Sequence, residues 1–142
     1  MKMILILLVF LFSNQLSDQD NSLEIHVIDL KNRTGQVILD VFDSELGFPM
    51  KTENAIFRRK MSIPQDGKLV FYIHGLKDGE YAFALIHDEN ENDKLDQNFI
   101  GIPKEGAGAS NNATGFMRPP SYKDSKFIVT KPLKLTIKML YF

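Results

Sequence analysis

Beyond residue 22 apolar side chains recur at every second position. Leu23, Ile25 and Val27 alternate with Glu24, His26 and Ile28, and Val37, Leu39 and Val41 alternate with Ile38, Asp40 and Phe42. Leu69, Phe71 and Ile73 interleave with Lys68, Val70 and Tyr72, while Tyr81, Phe83 and Leu85 are separated by small Ala82 and Ala84. Toward the C-terminus Leu133, Leu135, Ile137, Met139 and Tyr141 alternate with Lys134, Thr136 and Lys138. A period of two sends one set of side chains into a core and the other into water, so each run predicts a β-strand. Ile56 to Ile63 and Phe127 to Thr130 read as weaker strands of the same kind.

The breaks between these runs carry turn chemistry. Asn32 to Gly35, Pro64 to Gly67 and Lys77 to Gly79 each supply a glycine for positive φ or a proline for the second place of a turn. No stretch shows a helical face with caps, although Asp43 to Asn54 has room for one short turn of helix. About seven short strands joined in this way predict an all-β fold, a two-sheet antiparallel sandwich. The runs 81–87 and 133–141 are the expected central strands.

The N-terminus breaks the alternation differently. Lys2 precedes ten unbroken apolar residues, Met3 to Phe12, after which Ser13 to Asn21 turns polar. That layout predicts a secretory signal peptide over residues 1–17 and a single domain over 18–142, exported to the periplasm or the extracellular space. No later run approaches the roughly eighteen apolar residues of a membrane span, so no transmembrane segment is expected in the mature chain. The 142 residues carry a net charge of −1, which provides no field to gather nucleic acid. Cysteine is absent, which removes disulfides, thiolate nucleophiles and zinc–thiolate sites from consideration.

Composition matters most between Asp88 and Lys126, almost forty residues with little strand pattern. The segment holds Gly101, Pro103, Gly106, Gly108, Gly115, Pro119 and Pro120, yet also Phe99, Ile100, Ile102, Phe116, Met117 and Tyr122. A stretch that long with so much apolar matter predicts an ordered loop packed across one end of the sandwich, where function is to be sought. The apolar residues either pin the loop to its own core or, at Phe99, Phe116 and Tyr122, form a stacking platform for sugar or peptide.

Within it, Asp88, Asn90, Asn92 and Asp96 place oxygen side chains at relative positions 1, 3, 5 and 9, with the Lys94 carbonyl at position 7. Ca²⁺ takes six to eight hard oxygen ligands, and a tight loop offering them at alternate places can wrap it. Five acids against one lysine over residues 88–96 make the loop strongly negative. Asp93 stands where such loops need glycine and Phe99 where a bidentate glutamate closes the shell, so Glu105, or Asp43 from another loop, would have to complete it. The competing reading is an Asx-rich turn whose side chains cap their own backbone.

His87, Glu105, Ser110, Asn111 and Asn112 are the candidate binding-surface residues around this loop. His87 reads as a strand-end imidazole bonded to an adjacent loop; acting as a general base, with Asp88 or Glu105 beside it, would require convergence on a substrate proton. Gly106-Ala-Gly108-Ala-Ser110 lacks the lysine and helix of a phosphate loop, and Asn112 occupies the place where a nucleophile elbow has glycine. A tightly turned surface loop is the expectation there.

The order Gly79-Glu-Tyr81-Ala82, His87-Asp88-Glu89-Asn90, Lys94-Leu95-Asp96, Gly101 to Gly106, Ser110-Asn111-Asn112 and Pro119-Pro120 resembles the exported bacterial family catalogued as domain of unknown function 2141. The resemblance covers about Leu23 to Tyr141 and implies a prealbumin-like sandwich, an exported location and no established activity. The functional expectation is therefore a non-enzymatic binding or structural module, with Ca²⁺ as candidate cofactor and an envelope or extracellular protein or glycan as candidate partner. The alternative is a small exported hydrolase or carbohydrate-active enzyme built on His87 and a nearby carboxylate.

Overall fold

A computed structural model describes residues 21–142, and the expected signal peptide lies outside them. Eight strands form two sheets: β1 Asn21–Ile28, β2 Gln36–Phe42, β3 Phe57–Ser62, β4 Leu69–Leu76, β5 Gly79–Asp88, β6 Gly106–Ala109, β7 Phe127–Val129 and β8 Leu133–Lys138. The smaller sheet has the order β4-β1-β8, antiparallel between β4 and β1 but parallel between β1 and β8. The larger has the order β3-β2-β5-β6, and β7 takes up pairing with β5 at Gly79–Tyr81 after β6 has left it at Ala84. Short 3₁₀ turns at Thr52–Asn54 and Ser110–Asn112 and one helical turn, α1 Tyr122–Ser125, complete the chain. Among the described residues no helix is long and apolar enough to cross a membrane.

The alternating residues meet as expected. Leu23, Ile25 and Val27, with Phe71 and Ile137 of the same sheet, meet Val37, Leu39, Val41, Phe83 and Leu85 of the other in one core cluster, each at most 2% exposed. Each large apolar side chain so enclosed stabilises the fold by about 1.5–3 kcal/mol. In β2 the other face is covered as well, because Ile38, Asp40 and Phe42 are all buried. Phe42 meets the edge of Phe48 at 5.3 Å between centroids, and Phe48 in turn meets Tyr122 at 5.7 Å. Tyr122 is thus a pin on the outer face of the larger sheet, whereas Phe99 and Phe116 remain 99% and 92% exposed.

Two expectations need correction. Gly106 to Ala109, expected as a turned surface loop, is strand β6, so the long excursion is divided into two loops, 89–105 before the strand and 113–121 after it. Bulk is missing from β6 because its neighbours supply it: a Cβ on Gly106 would lie 2.6 Å from the Tyr141 ring, and one on Gly108 3.2 Å from Ile137. The run 133–141, expected at a sheet centre, is the edge strand β8 and ends at Lys138, while β1 takes the centre. Residues beyond it cross to the other sheet, where Leu140 and Ala107 exchange two backbone bonds of 2.9 Å. Alternation specifies which face a side chain occupies, but says nothing of which strands lie alongside.

Candidate functional site

The acidic segment starts where β5 ends. Asp88 pairs with Gln36 across β2, on the outer face of the larger sheet, and its side chain is fully buried. Its Oδ1 accepts the Asn92 N–H at 3.0 Å, and its Oδ2 accepts the Asp93 N–H and a Gln36 side-chain N–H at 2.9 Å each. Glu105, 5% exposed, grips the same loop from its other end: Oε1 accepts the Glu89 N–H at 2.9 Å and Oε2 the Asp96 N–H at 3.0 Å. Two buried carboxylates are thereby satisfied almost entirely by backbone donors, an arrangement that offsets the cost of burying their charge.

The five candidate metal ligands occupy one turn. Asn90 and Asn92 donate to the Asp96 carboxylate at 2.6 and 2.9 Å, and these bonds hold its pKa below the usual carboxylate value. The Asn92 Oδ1 accepts the Lys94 N–H at 3.2 Å. Asp93 adopts φ +69°, the left-handed conformation that the sixth place of a calcium loop demands and that Asp tolerates better than most residues. The backbone thus takes the required turn without the glycine. Among the described residues no three His, Asp or Glu side chains converge as metal ligands, so a cation here would draw on amide and carbonyl oxygens beside Asp88 and Asp96. Asp43 cannot assist, because it follows Phe42 at the far end of β2, roughly 20 Å of strand from the Gln36–Asp88 pair.

Sequence reasoning missed what holds this turn to the sheet. Lys60 reaches the Asp93 carboxylate at 2.7 Å and Gln36 does so at 3.0 Å; the Lys60 contact is the main reason its pKa is lowered. Arg58 donates to the Asp93 carbonyl at 2.9 Å and to Asp40 Oδ2 at 3.2 Å. Burial raises the Asp40 carboxyl to about 6 despite the Arg58 charge, and its Oδ1 finds no donor. The available signal was a polar residue, Asp40, interrupting the apolar run of β2, opposite basic residues on the next strand.

Farther out the loop becomes a hydrogen-bonded finger. Asn98 Oδ1 accepts the Ile100 and Ile102 N–H groups at 3.0 and 2.9 Å, and the Gly101 N–H returns to the Asn98 carbonyl at 3.0 Å. Phe99 and Ile100, 99% and 62% exposed, form its tip.

Of the remaining candidates, His87 and Ser110 face inward, while Asn111 and Asn112 are exposed. His87 and Asp88 are consecutive strand residues and point to opposite faces of β5. His87, fully buried, lies 2.8 Å from the Thr34 carbonyl and 2.6 Å from the Tyr141 hydroxyl. A carbonyl only accepts, so Nε2 carries the proton; Tyr141 accepts the Lys31 N–H at 3.0 Å and donates to Nδ1. Ser110 Oγ accepts the Phe83 N–H at 3.0 Å and donates to the Ser125 carbonyl at 2.5 Å, filling the gap between β6 and β7. Asn111 and Asn112, at φ +60° and +51°, then swing the chain toward β8. The Asn112 amide accepts the Lys138 N–H at 2.8 Å and donates to the Thr136 carbonyl at 3.3 Å; Asn111 donates to the Lys126 carbonyl at 2.9 Å. His87 and Ser110 are therefore enclosed, and all three residues of Ser110-Asn111-Asn112 bond to backbone.

A family model described as an uncharacterized protein conserved in bacteria (DUF2141) matches residues 25–136. No curated protein and no solved structure matches the chain.

Proposed function

The chain belongs to the DUF2141 family, and from that premise we propose that it is an exported, non-enzymatic binding module whose recognition element is the finger between Asp88 and Glu105. One observation carries the reading. The groups that could do acid–base or nucleophilic work, His87, Asp88, Glu105 and Ser110, are buried and bonded to backbone or core, while the finger that Asp88 and Glu105 brace holds Phe99 and Ile100 out in water. Fixing the backbone that carries apolar side chains before contact lowers the entropy cost of recognition. Export is supported by Lys2 and the apolar run Met3 to Phe12. The partner class is an envelope or extracellular protein or glycan.

Glycan and peptidoglycan arrays probed with residues 18–142 test the proposal. Retention that Phe99→Ala abolishes is the expected result. Turnover of ester or glycoside substrates that is lost in a folded Glu105→Gln variant would replace the binding reading with the hydrolase one.

Ca²⁺ enters the proposal as the ion that orders the finger's root, held by Asp88, Asn90, Asn92, the Lys94 carbonyl and Asp96. The left-handed turn at Asp93 supports that role. Millimolar Ca²⁺, compared with excess EDTA, should raise the melting midpoint by about 5–10 °C, with Mg²⁺ ineffective. Asp96→Ala, outside the buried braces, should erase the difference. An equal midpoint in Ca²⁺ and EDTA removes the ion from the account and leaves the finger in place.

A further inference from the structure

Beyond Asp96 the finger is a short hairpin. The Lys104 N–H bonds the Asp96 carbonyl at 2.8 Å, Gln97 bridges Pro103, and the Asn98 N–H bonds the Ile102 carbonyl at 2.9 Å. The backbone of its apex is closed on itself. The N–H groups of Asn98, Ile100, Gly101 and Ile102 are all bonded within the hairpin, two of them to the Asn98 side-chain carbonyl. From Phe99 to Ile102 the side chains are hydrocarbon or, at Gly101, absent. Their exposure falls from 99% at Phe99 to 62% at Ile100 and 36% at Ile102, so the apolar surface is greatest at the very end.

That closure suits an apolar phase. A backbone N–H carried unpaired out of water is costly, and this apex pairs its donors before it meets anything. Charge is arranged to match. From Gln97 to Lys104 the sequence holds no carboxylate, and its one charged side chain is the exposed Lys104. The Asp96–Lys104 rung lies about 10 Å of strand below Phe99, close to the depth at which apolar side chains enter the boundary between headgroups and acyl chains. Lys104 would then stand level with lipid phosphates. The acids lie at or behind that level: Asp96 is bonded to Asn90 and Asn92, and the exposed Glu91 belongs to the turn that Asp88 closes at the strand end.

We propose that the finger docks on a lipid bilayer, with Phe99 and Ile100 among the acyl chains, Ile102 at the boundary and Lys104 on a phosphate. The inference rests on the finger being the recognition element and narrows its envelope partner to lipid. One hairpin with two such side chains gives a reversible hold, as a single acyl chain does. The domain therefore visits the surface without spanning it, and its sheets stay in water.

The sequence has no tryptophan, so Phe99→Trp gives the chain a single indole at the apex. The test uses residues 18–142, without the apolar run Met3 to Phe12 that would itself bind lipid, and vesicles of phosphatidylethanolamine with phosphatidylglycerol. At millimolar lipid the Phe99→Trp emission should move to the blue and be quenched by brominated acyl chains. Phe116→Trp, on the other projecting loop and 92% exposed in its native form, should report neither change. Phe99→Ala should lower co-sedimentation with vesicles about tenfold or more. Lys104→Glu should lower it about fivefold or more on these vesicles and little on pure phosphatidylcholine. No association at millimolar lipid, association indifferent to Phe99→Ala, or equal quenching at both tryptophan positions overturns the inference. Phe99-dependent retention on glycan arrays without vesicle binding would overturn the lipid assignment and leave the finger standing as the recognition element. Vesicle binding lost with Phe99→Ala in a chain that retains no glycan upholds it.

Discussion

The two halves of the long segment between β5 and β7 are held by the same kind of bond and used in opposite ways. Residues 89–105 form the finger, braced by Asp88 and Glu105; in the second half, β6 and the turn that follows it lie along the sheets, joined to them by Ser110, Asn111 and Asn112. The braces differ in chemistry for a reason. A carboxylate only accepts, and its two oxygens suit a projecting turn that shows consecutive N–H groups to one side. A strand edge offers N–H and C=O in alternation, so its partner must accept and donate at once. A hydroxyl and a primary amide do that, and Asn112 stands beside β8 much as a further strand would. Covering β8 in this way also blunts an edge otherwise open to pairing with another chain.

The largest expected effect is on the finger. Asp88→Ala removes the buried acceptor of three donors and should lower stability by about 3 kcal/mol in urea unfolding, since bonds to charged groups are worth about 1.5–3 kcal/mol each. Hydrogen exchange at Asn92 and Asp93 should quicken while β6 stays protected.

The second half should yield a little less. Ser110→Ala leaves the Phe83 N–H and the Ser125 carbonyl unpaired in the interior, which should cost about 2 kcal/mol. Ser110→Asp, an acceptor without a donor when ionised, should do no better than alanine. If it matched the wild type, the distinction between the two kinds of brace would fail.

The smallest effect concerns pH. Asp40, raised to about 6 from an unfolded value of 3.8, binds its proton more tightly in the folded chain, so stability should fall as pH rises from about 4 to about 6. Asp40→Asn should flatten that slope and gain about 1–2 kcal/mol at pH 8, with no gain below about pH 4. Asp93 and Asp96, whose pKa values are lowered, act with the opposite sign, and their contribution is lost as pH falls through the lowered values. An Asp40→Asn variant less stable than wild type at pH 8 would mean that the Arg58 pair outweighs the burial cost.

Most of the sandwich was legible because bulky residues at alternate places reveal a buried face without any knowledge of neighbours. Strand β6 was not, since Gly106 and Gly108 are small to admit Tyr141 and Ile137, residues about thirty positions away. The 3₁₀ turn at Thr52–Asn54 falls inside the segment expected to hold one, whereas α1 gave no sign in four residues. At the site, the spacing Asp88, Asn90, Asn92, Asp96 marked a real turn, but not the Arg58, Lys60 and Gln36 contacts that dock it. Those depend on the pairing of β2 with β3 and β5, which alternation leaves open.

The parallel pairing of β1 with β8 has a consequence for how the chain comes together. The strand at the centre of the smaller sheet leaves the ribosome before the other described strands, and one of its two flanks stays bare until residues 133–138 arrive. The antiparallel pairing with β4 can form once Leu76 has emerged, but loop closure over more than a hundred residues must precede the pairing with β8. Truncation after Val129 would therefore strip the middle strand of a neighbour, leaving Leu23, Ile25 and Val27 backed by half a sheet.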